Sequence, residues 1–379
     1  MSGNPPLPPE LFNRKPKVPW EYDQPFPQPF YYFRKETGAW TAARSTADVT
    51  ATRKVKAPSK IRLITWNIDA LVPFAEERMA GALEYLEKLY NQTQPQSETA
   101  TSTLPDDDDD NAPPPMVIFL QEMLRSDLEQ IQNAKWVQKH FYMTDIAPEF
   151  WENEFYGTTT LVEKRFPVQR VFRVHYRASR MQRDGLFVDV SVRLPGAAEK
   201  SENAEKETKI LFLCNTHLES LVSNPPLRPV QMKVASTFMH GSAPHPAVGS
   251  EGGKVPAPPH AALLAGDLNA FAPEDLTAPG ECGLQDTFLV LGGKDGTEES
   301  YTWGQQVPEE LRKRFGCSRM DKILLCGGIE AKSLERIGAG VTVKVPDGQE
   351  EGPTERDEWV TDHLGLMGDF VVVRKDSKE

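Results

Sequence analysis

Apolar positions along the chain fall into short strand-like runs and a few longer runs with helical spacing. The strand-like runs are short, apolar or alternating, and often β-branched. They are IRLITWN, MVIFLQE, TTTLV, VFRVHY, GLFVDVSVRL, KILFLCNTH, AALLAGD, KILLC and HLGLMGDFVVV. Helical spacing is clearest in AEERMAGALEYLEKLY, where Met79, Leu83, Leu86 and Tyr90 lie on one face. The segments SDLEQIQNAKWVQKHF and LRPVQMKVASTFM predict two further helices.

Many strands combined with a few long helices predict an α/β fold with two packed mixed β-sheets flanked by helices, a four-layer αββα sandwich. Residues 1–57 are rich in proline and aromatic residues and show no helical or strand period, so we interpret them as an extended N-terminal arm docked through its aromatics. We expect residues 58–379 to form one catalytic domain. Loops are predicted near 91–115, 195–208 and 241–260, because their composition buries too little apolar surface for a core.

Composition narrows the class of protein. The chain has 379 residues, and no apolar run approaches the roughly 20 residues needed to span a bilayer, so we expect no membrane partner. Its four cysteines form no C-x-x-C pair, which argues against a zinc site or a disulfide framework. We therefore expect a reducing compartment, the nucleus or the cytoplasm.

Charge is unevenly distributed around a net value of −12. Asp106 to Asp110 form an acidic run, whereas the stretch from Lys164 to Arg183 contains basic residues and no Asp or Glu. A local basic patch is compatible with nucleic-acid binding. The alternative is a solvated basic face paired to acids elsewhere, and charge alone favours that second interpretation.

Polar residues recur where the predicted strands end or begin. These residues are Asn67, Glu122, His217, Asp267 and Asn269 at strand ends, and Asp321, Asp362 and His363 at strand starts. Taken singly, each has an ordinary structural explanation, such as a turn, a helix cap, a core histidine or an Asx turn. A carboxylate buried beside an apolar run is costly without a partner or a metal, so the repeated pattern indicates a site.

The ordered set W-N-I, Q-E, T-H-L-E-S, G-D-L-N, R-M-D-K-I and D-H resembles the endonuclease/exonuclease/phosphatase superfamily, whose fold is the DNase I-like sandwich. The segments TWNIDAL, FLQE, THLES, YTW and TDHLGL are most similar to the tyrosyl-DNA phosphodiesterase 2 family, over about residues 62–373. This resemblance implies Mg²⁺-dependent hydrolysis of the 5′-phosphotyrosyl bond between DNA and a trapped topoisomerase tyrosine, which leaves a 5′-phosphate for DNA repair. It also implies DNA 5′ ends carrying a tyrosyl or peptide adduct as the partner. We expect a monomer.

The resemblance also implies roles for individual residues. Asp267 would orient or deprotonate the attacking water, and the catalytic group as a whole is Asp267, Asn269, His363, His217 and Asn67. The metal ligands are Glu122 and Asp362, which bind Mg²⁺ with Mn²⁺ able to substitute. Asp321 is expected to orient a histidine. The substrate-binding residues are Ser220, Trp303, Arg228, Arg180 and Arg183.

Alternatives stay open at the level of sequence. Another phosphodiesterase of the same superfamily, such as an abasic endonuclease, a 3′ exonuclease or deadenylase, or a phosphoinositide phosphatase, would carry the same core residues. A degenerate member acting as a nucleic-acid-binding or scaffold protein is a third class, which is disfavoured by the intact set Asn67, Glu122, Asp267, Asn269 and His363. Trp303 could equally be a core residue, and LRPVQ, which contains Arg228, could be a plain helix start.

Overall fold

Two large β-sheets pack against each other in the structure, with helices on both outer sides. A computed structural model describes residues 9–16, 19–49, 56–93, 112–195, 207–243, 258–347 and 355–375. The strands are β1 Pro25–Gln28, β2 Phe30–Arg34, β3 Ala39–Ala43, β4 Lys60–Asn67, β5 Met116–Met123, β6 Phe141–Met143, β7 Gly157–Glu163, β8 Val168–His175, β9 Asp184–Arg193, β10 Thr208–Thr216, β11 Ala261–Asp267, β12 Gln285–Asp286, β13 Asp321–Gly327, β14 Ile329–Ile337, β15 Thr342–Pro346, β16 Glu355–Trp359 and β17 Gly365–Val372. The α-helices are α1 Pro9–Phe12, α2 Thr46–Val49, α3 Ala75–Gln92, α4 Arg125–Asn133, α5 Lys135–His140, α6 Arg228–Met239, α7 Glu274–Glu281, α8 Thr287–Val290 and α9 Glu309–Phe315.

Each large sheet contains one parallel strand pair among its described strands. The seven-stranded sheet has the order β1-β8-β9-β10-β11-β13-β12, and the eight-stranded sheet has the order β14-β17-β4-β5-β7-β6-β2-β3. The parallel pairs are β10 with β11 and β4 with β5. Parallel neighbours need a crossover connection, and here α6 lies in the connection from β10 to β11 and α3 in the connection from β4 to β5. The fold is therefore built around two βαβ units, one in each sheet.

Three apolar clusters separate the four layers. The cluster between the sheets contains Leu63 and Phe119 from one sheet and Val188 and Leu213 from the other. A second cluster packs α3 on the outer face of the eight-stranded sheet, and a third packs α6 on the outer face of the seven-stranded sheet. Central strands are thus buried on both faces, which explains why they consist of nearly continuous apolar runs. The predicted αββα sandwich is confirmed.

The interpretation of residues 1–57 as an extended arm is wrong where that range is described. Residues 25–28 form β1, which pairs antiparallel with β8, and residues 30–43 supply β2 and β3 of the other sheet. Pro25 and Pro27 concealed the first of these strands, because proline is usually absent from strands. Proline is tolerated at a sheet edge, where β1 lies. The range 25–43 is therefore part of the sandwich.

Two smaller differences concern helices and loops. The predicted helix SDLEQIQNAKWVQKHF is two helices, because Ala134 between α4 and α5 has an extended backbone. The predicted loops near 91–115, 195–208 and 241–260 lie largely outside the described residues, as does the acidic run Asp106 to Asp110. Among the described helices, none has the length and apolar character required to cross a bilayer.

Candidate active site

The two parallel strand pairs bring four predicted residues together at their carboxyl ends. Asn67 and Glu122 come from β4 and β5, and Asp267 ends β11. His217 follows β10 directly. The Asn67 amide nitrogen lies 3.0 Å from Asp267 Oδ2 and 3.3 Å from Glu122 Oε1. His217 Nε2 lies 3.4 Å from the same Asp267 oxygen. Residues from both sheets therefore form one polar cluster at this edge.

Glu122 reaches this cluster through an irregularity in β5. The pairing of β5 with β7 shifts register between Leu120 and Met123, and Glu122 has a left-handed backbone with φ of 55°. A bulge of this kind re-aims a side chain and is frequent next to active sites. Burial raises the pKa of Glu122, and the nearby Asp267 carboxylate raises it further, which a bound cation would offset.

Asp267 is fixed by a turn that the sequence also suggests. The main-chain N–H of Asn269 donates to Asp267 Oδ1 at 2.8 Å, an Asx turn that leaves Oδ2 facing the cluster. The Asn269 amide donates to the carbonyl of Leu218 at 3.2 Å. Glycine is required at 266, because a Cβ there would lie 1.7 Å from the carbonyl oxygen of Thr216. The turn interpretation and the site interpretation of GDLN are thus compatible.

His363 enters from the other side of Asp267 as part of a pair with Asp321. Its Nδ1 lies 2.8 Å from Asp321 Oδ2, and its Nε2 lies 3.7 Å from Asp267 Oδ2. Burial by itself would lower the pKa of His363, but the carboxylates of Asp321, Asp267 and Asp362 raise it well above its ordinary value. The surrounding carboxylates therefore favour the cationic form of His363, whose Nε2 faces Asp267.

His217 has the opposite character. Burial lowers its pKa well below the ordinary value, and the neighbouring Arg183 charge lowers it further. Arg183 Nη1 donates to His217 Nδ1 at 2.9 Å, so the neutral ring carries its proton on Nε2, toward Asp267. Arg183 Nη2 donates to Ser220 Oγ at 3.0 Å. His217, Arg183 and Ser220 thus form one wall of the site.

Asp69 is a site residue that the sequence reasoning did not select. Burial raises its pKa to about 8, and the charges of Asp362 and Glu122 add to this effect. Its main-chain N–H donates to Asn67 Oδ1 at 2.9 Å, and its φ is 58°. Its place two residues after Asn67 in TWNIDAL was the available signal.

The predicted metal ligands Glu122 and Asp362 both act on Asp69, because their charges add to the burial that raises its pKa. Carboxylate oxygen is the ligand atom that Mg²⁺ and Mn²⁺ prefer. The group whose potential ligand atoms all lie within 4.8 Å of one another is a different one, Asp267, Asp321 and His363. In that group the His363–Asp321 hydrogen bond already occupies Nδ1. A cleft of about 400 Å³ adjoins Asp69 and Asp362.

The predicted substrate-binding residues divide into two sets. Trp303 is half-buried, and its indole N–H donates to Asp362 Oδ2 at 2.7 Å, whereas Ser220 accepts from Arg183, which also contacts His217. Arg228 is buried and donates to both carboxylate oxygens of Asp275, so its guanidinium serves as an internal anchor. Arg180 donates to the exposed Glu10 at 3.2 Å. The guanidinium groups of Arg228 and Arg180 therefore pair with carboxylates that are not part of the cluster.

Most of the basic stretch from Lys164 to Arg183 is also engaged internally. Three of its four buried arginines form ion pairs, Arg165 with Glu163, Arg170 with Asp189, and Arg173 with Asp145 and Asp184, while the fourth, Arg183, contacts His217. The prediction of pairing to acids is correct. The prediction of a solvated face is wrong, because these side chains lie in the interior.

A two-sheet sandwich with Asn, Glu, Asp and His side chains gathered at its strand ends is the arrangement of DNase I-like phosphoester hydrolases. The chain belongs to the Endonuclease/Exonuclease/phosphatase family, whose model matches residues 64–363. It shares its fold with the structure of Danio rerio TDP2 (tyrosyl-DNA phosphodiesterase 2) humanized by 14 mutations, at 18% identity and a TM-score of 0.52, over 82% of this chain and 99% of that one. Truncated Caenorhabditis elegans TDP2 gives 19% identity and a TM-score of 0.52, over 83% and 98% of the two chains.

A third similar structure is D. rerio TDP2 complexed with a single-stranded DNA product. It gives 18% identity and a TM-score of 0.51, over 82% of this chain and 99% of that chain. A sequence search among curated proteins gives no match. These comparisons confirm the predicted family and fold.

Proposed function

We propose that the chain is a Mg²⁺-dependent phosphodiesterase that hydrolyses the 5′-phosphotyrosyl bond between DNA and a trapped topoisomerase tyrosine, leaving a 5′-phosphate. The observation that carries the proposal is the convergence of Asn67, His217 and His363 on one oxygen of Asp267 beside three carboxylates. The similarity in fold to TDP2, one structure of which holds a single-stranded DNA product, supports DNA as the polymer.

In the proposed reaction, Asp69, Glu122 and Asp362 would hold Mg²⁺. When bound, the ion would neutralise charge on the phosphoryl oxygens and position them. Asp267 would orient the attacking water and accept its proton at Oδ2. The N–H groups of Asn67, His217 and His363 that now face Asp267 would donate to phosphoryl oxygens as negative charge increases in the transition state.

The remaining residues would act on orientation and on the leaving group. Asp321 fixes the His363 ring through Nδ1, and Arg183 fixes the His217 ring through Nδ1. A tyrosine phenolate has a pKa near 10, so it leaves without the strong general acid that an alkoxide would need. Trp303 would stack on the terminal base, where a base–aromatic contact contributes roughly 1–3 kcal/mol.

The test is a substrate panel with purified protein, with Mg²⁺ and with a chelator. A 5′-phosphotyrosyl oligonucleotide should give a 5′-phosphate end, and Glu122→Gln should remove that product. The panel also contains an abasic duplex, poly(A) and a phosphoinositide, so another activity of the family would be detected. Cleavage of one of these with no release of the 5′-phosphate product would refute the tyrosyl-DNA assignment. If no substrate is turned over while the protein still binds DNA, a binding role replaces the enzymatic one.

A further inference from the structure

The loop that carries Arg183 to the site is held from outside by the N-terminal part of the chain. This loop, residues 176–183, connects β8 with β9. We call residues 9–16 and 19–23 the N-terminal strap. The strap lies outside residues 64–363, the range matched by the family model, so family membership does not account for it.

Arg14 is the main contact between the strap and the loop. Its Nη1 donates to the carbonyl oxygens of Ser179 at 2.6 Å, Tyr176 at 3.2 Å and Arg177 at 3.5 Å. Its Nη2 donates to Glu152 Oε1 at 2.5 Å. Main-chain carbonyls that turn inward are costly to leave unpaired, so one guanidinium fixes the path of this loop.

Other strap residues reinforce the same contact. The Tyr22 hydroxyl donates to Glu152 Oε1, the oxygen that Arg14 also contacts, and the Arg14 guanidinium lies 4.4 Å from the Tyr22 ring centroid. Asp23 Oδ1 accepts from the N–H of Arg177 at 3.0 Å. Leu11 is buried against Ala178 of the loop. The strap therefore contacts the loop through charge, hydrogen bonds and apolar packing.

Ser179 transmits this restraint to Arg183. Its carbonyl accepts from Arg14, and its hydroxyl oxygen accepts from the main-chain N–H of Arg183 at 2.9 Å. The same hydroxyl donates to Glu219 Oε2 at 2.7 Å, and Glu219 follows His217 and Leu218 on the neighbouring segment. Arg183 then reaches His217 Nδ1 at 2.9 Å. Each step from Arg14 to the site is thus a direct hydrogen bond.

We propose that the N-terminal strap positions Arg183 for the reaction, and that Arg14 is the positioning residue through which it acts. The proposal rests on the proposed function in one respect, namely that Arg183 contacts or orients groups at the phosphate. Small displacements of a positioning group are expensive: a shift of about 1 Å can cost about 100-fold in rate. Removing Arg14 should therefore reduce activity, although, among the described residues, its side chain hydrogen-bonds only to the loop carbonyls and Glu152 and not to His217 or Asp267.

The experiment is a double-mutant cycle in the full-length chain, with a p-nitrophenyl phosphodiester of thymidine as substrate. Arg14→Ala should lower kcat/KM about 10- to 100-fold in the wild-type background. In the Arg183→Ala background the same change should matter less than about twofold, because the group it positions is absent. Arg14→Lys should restore part of the loss, since an ammonium group can keep some of the carbonyl contacts.

Arg62→Ala is the matched control. Arg62 has the same side-chain exposure as Arg14, 15%, and likewise forms an ion pair, with Asp369 at 2.7 Å, but it lies at the start of β4, far along the strand from Asn67. Arg62→Ala should change kcat/KM by less than about twofold, because a substitution at a distant site with no shared partners acts independently of the active site. Circular dichroism establishes that each variant is folded. If Arg14→Ala does not fold, Ser179→Ala interrupts the path one bond later and is used in the same cycle.

Two results would overturn the proposal. One is a loss in Arg14→Ala no larger than that in Arg62→Ala. The other is an equal loss from Arg14→Ala in the wild-type and Arg183→Ala backgrounds, which would indicate general destabilisation. Turnover of the aryl diester without cleavage of the tyrosyl oligonucleotide would refute only the proposed substrate. If no phosphodiester is hydrolysed, the wild type, Arg14→Ala, Arg183→Ala and the double variant are compared by their affinity for inorganic phosphate. Arg14→Ala should then weaken binding in the wild-type background and have little effect in the Arg183→Ala background.

Discussion

His217 and His363 flank the same carboxylate oxygen of Asp267, yet their pKa values shift in opposite directions. Their Nε2 atoms lie 3.4 Å and 3.7 Å from Asp267 Oδ2, and both rings are buried. Burial lowers the pKa of both rings, and Arg183 at Nδ1 lowers that of His217 further, whereas the carboxylates of Asp321 at Nδ1, Asp267 and Asp362 raise that of His363. Two residues of one type therefore differ in the protonation state that their surroundings favour.

The largest expected effect comes from removing the charge between the two rings. Asp267→Asn keeps the shape but cannot accept a proton from water, so kcat for phosphodiester hydrolysis should fall by about 10³-fold or more. The measurement is turnover of the aryl diester at saturating substrate and Mg²⁺. Asp189→Asn, which alters a buried carboxyl group paired with Arg170 outside the site, is the control. A loss smaller than tenfold would exclude Asp267 as the catalytic carboxylate.

The second prediction makes His363 more like His217. Asp321→Asn removes the carboxylate at Nδ1, so the pKa of His363 should fall and kcat should decrease by about 10²-fold, the scale for losing one preorganised charged donor. NMR of the ring protons in metal-free protein reports the pKa directly. Ring signals that titrate as in the wild type would contradict the assigned cause.

The third prediction makes His217 more like His363. Arg183→Gln removes the cation from Nδ1 while keeping a possible donor, so the pKa of His217 should rise toward its ordinary value. We expect a loss of about 100-fold in kcat/KM, the scale for losing one preorganised donor and at least as large as the loss from Arg14→Ala, which acts through Arg183. If the pKa of His217 stays low, burial alone determines it, and the comparison of the two partners fails on this side.

The smallest effect concerns a histidine outside the site. Burial lowers the pKa of His140 to about 4, with the charges of Lys139 and Lys164 adding to it. Because the unfolded chain takes up this proton near pH 6.5, the free energy of unfolding should fall as the pH decreases from about 6.5 toward 4. His140→Gln should lose less stability than the wild type between pH 7 and pH 5 in urea unfolding. If the wild type and His140→Gln lose the same free energy of unfolding over this pH range, His140 is more hydrated than the structure shows.

The sequence predicts the buried centre of the fold better than its edges. Central strands such as β4 and β10 are nearly continuous apolar runs, because both of their faces are covered. β14 and the β15–β16 hairpin were not predicted, since their residues are mostly exposed and carry no consistent alternation. β1 was hidden by its prolines, which only an edge position allows.

For the site, the sequence predicts which residue types gather but not how each is used. Asn67, Glu122, His217 and Asp267 follow from their places at strand ends. The opposite pKa shifts of His217 and His363 depend on contacts between distant segments, which a single sequence does not reveal. The same limit applies to Arg228 and Arg180, whose basic character fits substrate binding although their guanidinium groups pair with Asp275 and Glu10.

The two βαβ units have a consequence for how this protein becomes active. Asn67 and Glu122 belong to the unit in the eight-stranded sheet, whereas His217 and Asp267 belong to the unit in the seven-stranded sheet. Neither unit has a complete set of reactive groups, and the bond from Asn67 to Asp267 forms only when the sheets dock. The complete cluster therefore requires both units in their native arrangement, and a chain in which only one unit is native lacks half of the groups proposed to attack a phosphodiester.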